Sequence, residues 1–66
     1  MELLIIKTGS QYIRVKPEGL LTVNLDKASV FPMDRLDHVR EVVDKAADSG
    51  FDHVTIKKLV LSEEDL

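Results

Sequence analysis

The chain opens with short β-type segments separated by turn residues. The segment from Glu2 to Lys7 is largely apolar, and Thr8-Gly9-Ser10 after it is typical of a turn. Residues 11–16 and 20–25 alternate between apolar and polar positions, and Pro17-Glu18-Gly19 between them predicts a second tight turn. We therefore expect three consecutive antiparallel strands that form a meander.

The third strand segment predicts which of its side chains face the core, because successive residues of a strand point to opposite faces. An inward row is expected at Leu21, Val23 and Leu25. Leu20 belongs to the other row and is expected to point outward, where it adds an apolar side chain to the surface.

The helix is the clearest element of the pattern. Apolar residues from Leu36 to Ala47 recur at helical spacing and predict one amphipathic helix. Asp34 is expected to cap its N-terminus, and Gly50 to take the left-handed position after its last turn, with Phe51 packing back. Before the helix, residues 28–31 favour an extended backbone and predict a short fourth strand.

The last segment has an irregular apolar pattern. Val54 and Ile56 occupy even positions, whereas Leu59 and Leu61 occupy odd ones. A regular strand would place these two pairs on opposite faces of the sheet. A β-bulge at Lys57-Lys58 would bring them onto one face, and this is the interpretation that we favour.

These elements predict an α+β fold: a small, mostly antiparallel sheet in the order β-β-β-(β)-α-β, with the amphipathic helix packed on one face. Residues 1–66 form a single predicted domain, of which 62–66 are expected to be a frayed tail. A chain of this length buries only about 60% of its unfolded surface. Because the chain has no cysteine, no disulfide compensates, and a partner subunit becomes a natural source of stability.

Composition and charge narrow the function classes. With 44% hydrophobic and 32% charged residues the chain is too apolar for intrinsic disorder. Its net charge of −3 provides no overall basic field for a polyanion. The apolar run after Met1 is too short for a signal sequence or a membrane span, so we expect a cytoplasmic protein with no membrane partner.

No convincing catalytic or metal site emerges from the polar residues. Asp34, His38 and Glu41 follow one side of the helix, and His53 could complete a divalent metal site. A solvated helix face with a capping aspartate explains the same pattern more simply, so no metal and no cofactor is predicted. None of the four serines lies in a nucleophile-elbow pattern, and we predict that the chain is not an enzyme.

A nucleic-acid platform is the alternative function. Tyr12, Arg14 and Lys16 share the polar face of the second strand, and the bulge would bring Lys57 and Lys58 nearby. An aromatic residue among basic ones on an open sheet is the minimal arrangement for binding a single strand. One aromatic residue on an acidic chain makes this the second hypothesis.

Protein interaction is the leading hypothesis. Residues Leu3 to Ile6 are apolar on both faces of the first strand, whereas one helix covers one face of a sheet. Either loops such as residues 28–33 cover the second face, or that face is an interface. We predict a non-enzymatic interaction module, either a self-associating homodimer or a small accessory subunit of a larger assembly, with Leu4, Ile6 and Leu20 as candidate contacts.

Four segments resemble small uncharacterised bacterial proteins, some of them prophage-encoded. They are Tyr12-Ile13-Arg14-Val15, Leu25-Asp26-Lys27-Ala28-Ser29-Val30-Phe31, Gly50-Phe51 and Ile56-Lys57-Lys58-Leu59. The resemblance implies a bacterial or phage origin. It rests on structural residues and carries no functional residue over to this chain.

Overall fold

The computed structural model describes residues 1–65, and it has the predicted α+β architecture. In chain order the elements are β1 (Glu2–Thr8), β2 (Gln11–Lys16), β3 (Gly19–Val23), β4 (Phe31–Pro32), α1 (Leu36–Asp48) and β5 (Val54–Val60). The five strands form one antiparallel sheet, and α1 packs on one of its faces. The predicted fold class is confirmed.

Strand β1 is the centre of the sheet. Along one edge it pairs with β5 over its whole length. Along the other edge it pairs with β4 near its start, where Leu4 is opposite Phe31, and with β2 at its end, where Lys7 is opposite Tyr12. Since β4 and β5 flank β1 and are joined through α1, the second half of the chain is a split β-α-β unit.

The segment before β4 lies within the plane of the sheet. The Ser29 N–H donates to the Ile13 carbonyl at 3.2 Å, and the Ser29 hydroxyl accepts from the Val15 N–H at 2.9 Å. These bonds place the segment beside β2, in the gap that opens where β2 and β1 diverge. The possibility that this loop covers the second face of the sheet is therefore wrong.

The turn at Pro17-Glu18 sets a register that reverses the predicted facing of β3. It pairs Val15 with Leu20 and Arg14 with Leu21. Partners across a strand pair share a face, so Leu20 lies on the side of the helix, where it packs against the core. Leu21 lies on the opposite side and is 44% exposed. The prediction that Leu21 faces inward was wrong.

The core lies between α1 and one face of the sheet. The helix contributes the buried stripe that its periodicity predicts, and β1 and β2 contribute aliphatic side chains. The buried cluster consists of Leu4, Ile6, Ile13, Val39, Val42 and Ala46.

The two ends of α1 differ in how well the sequence predicted them. Asp34 does not cap the helix, because it belongs to a 3-10 turn over Met33–Arg35 that leads into α1. The other end is as predicted: Gly50 has φ 95°, and the Phe51 N–H donates to the Ala46 carbonyl at 3.1 Å. This Schellman arrangement returns Phe51 to the core.

Strand β5 contains no bulge. Its register with β1 is unbroken from Val60 opposite Glu2 to Val54 opposite Thr8. Lys57 and Lys58 therefore lie on opposite faces, and the predicted bulge was wrong. Residues 62–65 form neither helix nor strand, and Leu66, the last residue of the predicted tail, lies outside the described residues.

Candidate functional site

The face of the sheet opposite α1 is the main candidate surface, and we call it the open face. By strand alternation and register it is built from the odd positions of β1, β3 and β5 and the even positions of β2 and β4. Its side chains are those of Leu3, Ile5, Lys7, Tyr12, Arg14, Lys16, Leu21, Val23, Pro32, Thr55, Lys57 and Leu59.

One half of the open face is apolar. Leu3 lies opposite Leu59, and Ile5 follows on the same face of the central strand. Met1 and Leu61 exchange two backbone hydrogen bonds, of 2.7 and 2.8 Å. These bonds continue the pairing of β1 with β5 by one more residue pair. Leu61 is 45% exposed, whereas Ile5 is 4% exposed although it lies outside the cluster under the helix.

The other half of the open face is basic. Lys57 lies opposite Ile5, and Lys7 lies opposite Tyr12, with its ammonium 5.7 Å from the centre of the ring. Arg14 and Lys16 continue this row along β2 by strand alternation. A cation over an aromatic ring is attracted to the π face, so Lys7 and Tyr12 form a unit.

All charges at open-face positions of the strands have the same sign. Within residues 1–65, the acidic side chains lie in turns, in α1, in the tail or, for Glu2, on the helix side of β1. Glu18 reaches toward the basic row from the adjacent turn, with a carboxylate oxygen 4.0 Å from the Lys16 ammonium. The open face is therefore positive on a chain whose net charge is negative.

The predicted interface residues do not lie on this face. Leu4 and Ile6 are 4% and 0% exposed beneath α1, and Leu20 packs against the same core. Because of their parity along the strands they lie on the helix side, whereas Leu3 and Leu59 are the half-buried leucines of the open face. The assignment of Leu4, Ile6 and Leu20 as partner contacts is corrected accordingly.

Four of the five residues predicted for nucleic-acid binding share the open face. Tyr12, Arg14, Lys16 and Lys57 are brought together, with Lys7 as an unpredicted fifth member. Lys58 is the exception: it lies on the helix side opposite Leu4, and its ammonium is 3.2 Å from a Glu2 carboxylate oxygen.

A signal for the apolar half was present in the sequence. The odd positions of Leu59 and Leu61 stood out from the even positions of Val54 and Ile56. In a regular strand this change of parity means that one end contacts the helix and the other end is apolar on the open face. The predicted bulge placed all four residues on one face, and therefore the apolar half of the open face was not predicted.

A second concavity lies on the helix side, between α1 and the hairpin of β2 and β3. It has a volume of about 520 Å³ and an apolar floor that includes Val15, Leu20, Val42 and Phe51. It exists because α1 lies over β1 and β5 and leaves the hairpin of β2 and β3 partly uncovered on that side. His38 lies at this groove and also contacts Phe31, with the ring centres 5.8 Å apart.

The residues that the sequence offered as candidate metal ligands do not form a metal site. Asp34, His38, Glu41 and His53 are not brought together, and within residues 1–65 no three side chains of the metal-ligating kind form a cluster. Ser29 has a structural partner in the Val15 N–H. None of the helices formed by residues 1–65 is long and apolar enough to cross a membrane.

Comparison with known proteins found no matching family model, no matching curated protein and no matching solved structure.

Proposed function

We propose that this chain is a non-enzymatic protein-interaction module whose binding surface is the open face of the sheet. The observation that supports this is the combination of an apolar half, around Leu3 and Leu59, with a basic half of uniform sign. The matching partner is a protein segment that carries both apolar and acidic side chains. In keeping with the resemblance described above, we picture the chain as a cytoplasmic accessory subunit of a bacterial or phage assembly.

The apolar half would supply most of the affinity. Contact areas between proteins gain free energy from desolvated apolar groups near the centre and specificity from charges around them. Leu3 and Leu59 lie side by side on neighbouring strands and are half-buried in the free chain. Covering them removes apolar surface from water without burying a lysine ammonium.

The charges argue against two open faces meeting each other. A fully overlapping face-to-face pair would place the basic half, with Lys7, Arg14 and Lys57, against either the same charges or the apolar half of a second copy. Like charges across an interface are destabilising, and so is a charge buried against apolar surface. An acidic partner reverses the sign of this interaction. The open face is therefore suited to a different protein.

Binding of single-stranded nucleic acid is the second candidate, favoured by Tyr12 among Lys7, Arg14, Lys16 and Lys57. Two observations make it weaker. Tyr12 is the sole aromatic residue at these positions, and its ring already contacts the Lys7 ammonium. The other uncharged side chains in the centre of the face are aliphatic, and these provide no stacking platform for bases.

The neighbouring lysines of β5 provide a matched test. Twelve-residue peptides selected from a random phage-displayed library against the whole chain would be synthesised, and their affinities measured by fluorescence anisotropy. We expect acidic, apolar peptides that bind about tenfold more weakly to the Arg14→Gln/Lys57→Gln variant, a loss of about 1.4 kcal/mol. The single variants Lys57→Gln and Lys58→Gln form the matched pair, because each removes one lysine charge of β5 and the two lysines lie on opposite faces of the sheet.

The same titration distinguishes the two candidate functions. A fifteen-nucleotide oligothymidylate is expected not to bind in low salt. If it binds, and its affinity falls steeply as salt is added, nucleic-acid binding replaces protein interaction as the function. If the selected peptides respond equally to Lys57→Gln and Lys58→Gln, the open face is not their binding surface.

A further inference from the structure

The two outer strands of the sheet differ in how their free edges are protected. Strand β5 carries Lys57 and Lys58, and charged side chains discourage another strand from pairing with an edge. Strand β3, Gly19-Leu20-Leu21-Thr22-Val23, has neither a charge nor a proline. It is also the last strand on its side of the sheet formed by residues 1–65. This edge is open to a further strand.

The backbone groups that face outward on β3 follow from its pairing with β2. The Ile13 carbonyl and the Val15 N–H bond to Ser29, so these two residues direct their backbone groups away from β3. In an antiparallel pair such residues lie opposite partners whose groups also point away. Those partners are Thr22 and Leu20. Each therefore presents an N–H and a carbonyl at the free edge.

We propose that two copies of this chain pair edge to edge through β3, antiparallel and centred on Leu21. In that register Leu20 lies opposite Thr22 of the second copy, and Thr22 lies opposite its Leu20. Both are hydrogen-bonded pairs, so about four backbone bonds form. The exposed Leu21 side chains meet at the two-fold axis, where non-hydrogen-bonded neighbours approach most closely.

A second copy of β3 fits this edge. The outward donors and acceptors, spaced symmetrically about Leu21, are self-complementary without any shift of register, as a two-fold interface requires. The basic residues of the open face do not oppose the contact. Arg14 lies one strand in from the edge, so the two Arg14 positions are three strand spacings apart, about 14 Å. That distance exceeds the screening length of about 8 Å at physiological salt.

This proposal concerns the backbone edge of β3 and does not depend on the proposed function of the open face. The test is the solution mass of the whole chain by light scattering from about 10 μM to 1 mM, at physiological salt. We expect a concentration-dependent dimer, and Leu21→Lys to raise its dissociation constant at least tenfold. Val60→Lys is the matched control, since it replaces an exposed apolar residue of the other outer strand, and it is expected to dimerise as the wild type does.

A second measurement tests whether the contact lies at β3. It keeps the proposal testable even if the Leu21→Lys variant fails to fold. The chain is short enough for chemical synthesis, and N-methylation of Thr22 removes one outward donor without changing a side chain. We expect it to weaken the dimer, and the Leu20 and Thr22 amides to exchange more slowly with solvent as the concentration of the unmodified chain rises. A wild type that stays monomeric at 1 mM would overturn the proposal. So would a dimer that is insensitive to both changes at β3.

Discussion

The two faces of the central strand β1 are equally apolar in sequence and have different roles in the structure. Leu4 and Ile6 lie under α1 among close-packed residues of three elements. Leu3 and Ile5 lie on the open face, beside Leu59 and Lys57 of β5. Burial alone does not separate the faces, since Ile5 and Ile6 are 4% and 0% exposed. What differs is the environment: Ile6 belongs to the cluster packed under the helix, whereas Ile5 lies outside that cluster and opposite Lys57.

A residue of this sheet can therefore be buried without belonging to the core under the helix. The helix face holds its side chains in a rigid environment, where a lost methyl group leaves a cavity. On the open face Ile5 lies opposite Lys57, whose flexible stem can cover apolar surface while its ammonium remains in water. The first face stabilises the fold, and the second leaves Leu3 and Leu59 half-buried, where we propose that a partner binds.

The largest expected effect is on the stability of the helix face. Ile6→Ala should lower the free energy of unfolding by about 2–5 kcal/mol, because the packed helix cannot collapse into the space. For a chain of this length the total is roughly 3–10 kcal/mol, so the variant is expected to be partly unfolded. Urea titration followed by circular dichroism measures this loss.

Ile5→Ala is the matched variant on the open face. It removes the same atoms, but flexible neighbours can close over the gap, so we expect a loss of about 2 kcal/mol or less. Equal losses for Ile5→Ala and Ile6→Ala would show that the two faces are packed alike, and the comparison would fail.

The next effect concerns the connection that holds α1 on its face of the sheet. Gly50→Ala places a Cβ on a residue with φ 95°, and the left-handed backbone should cost about 1–2 kcal/mol. No atom lies within 4 Å of that Cβ, so the loss reflects the backbone alone. Thermal unfolding should show a melting temperature lower by at least about 4 °C. The neighbouring Ser49→Ala, at φ −84°, is expected to change it little.

The smallest effect is that of the ion pair on the helix side of β5. Glu2 and Lys58 are 3.2 Å apart, with side chains 50% and 53% exposed. A double-mutant cycle with alanine at both positions should give a coupling below about 1 kcal/mol that disappears in 1 M salt. A larger, salt-independent coupling would mean that Lys58 stabilises the fold more than its exposure indicates. Lys57→Ala, on the open face, should leave stability within about 0.5 kcal/mol of the wild type.

Local signals predicted the elements well, because their causes are local. The turns at Gly9 and at Pro17-Glu18, the extent of α1 and the left-handed Gly50 all depend on neighbours within a few residues. The start of the helix was less accurate, because a 3-10 turn over Met33–Arg35 takes up the residue expected to cap it.

The candidate site was predicted in part. Tyr12, Arg14 and Lys16 share a face because they alternate within one strand, and that needs no tertiary information. Lys58 was misplaced, and Leu4 and Ile6 were assigned to the wrong face, because facing depends on which strands lie alongside. That in turn depends on pairings between residues more than fifty positions apart, such as Leu4 with Lys58.

The sequence by itself determined that this chain forms an antiparallel meander, one amphipathic helix and a final strand, and that its first strand is apolar on both sides. Only the tertiary structure decided which of those sides the helix covers. It also decided that β3 lies at an edge of the sheet with its outer backbone groups unpaired by any strand of residues 1–65. The physical reason is that periodicity records how many faces are apolar, whereas the partner of each face is set by long-range strand pairing. The open face and the β3 edge, the two surfaces proposed for binding, both follow from that pairing.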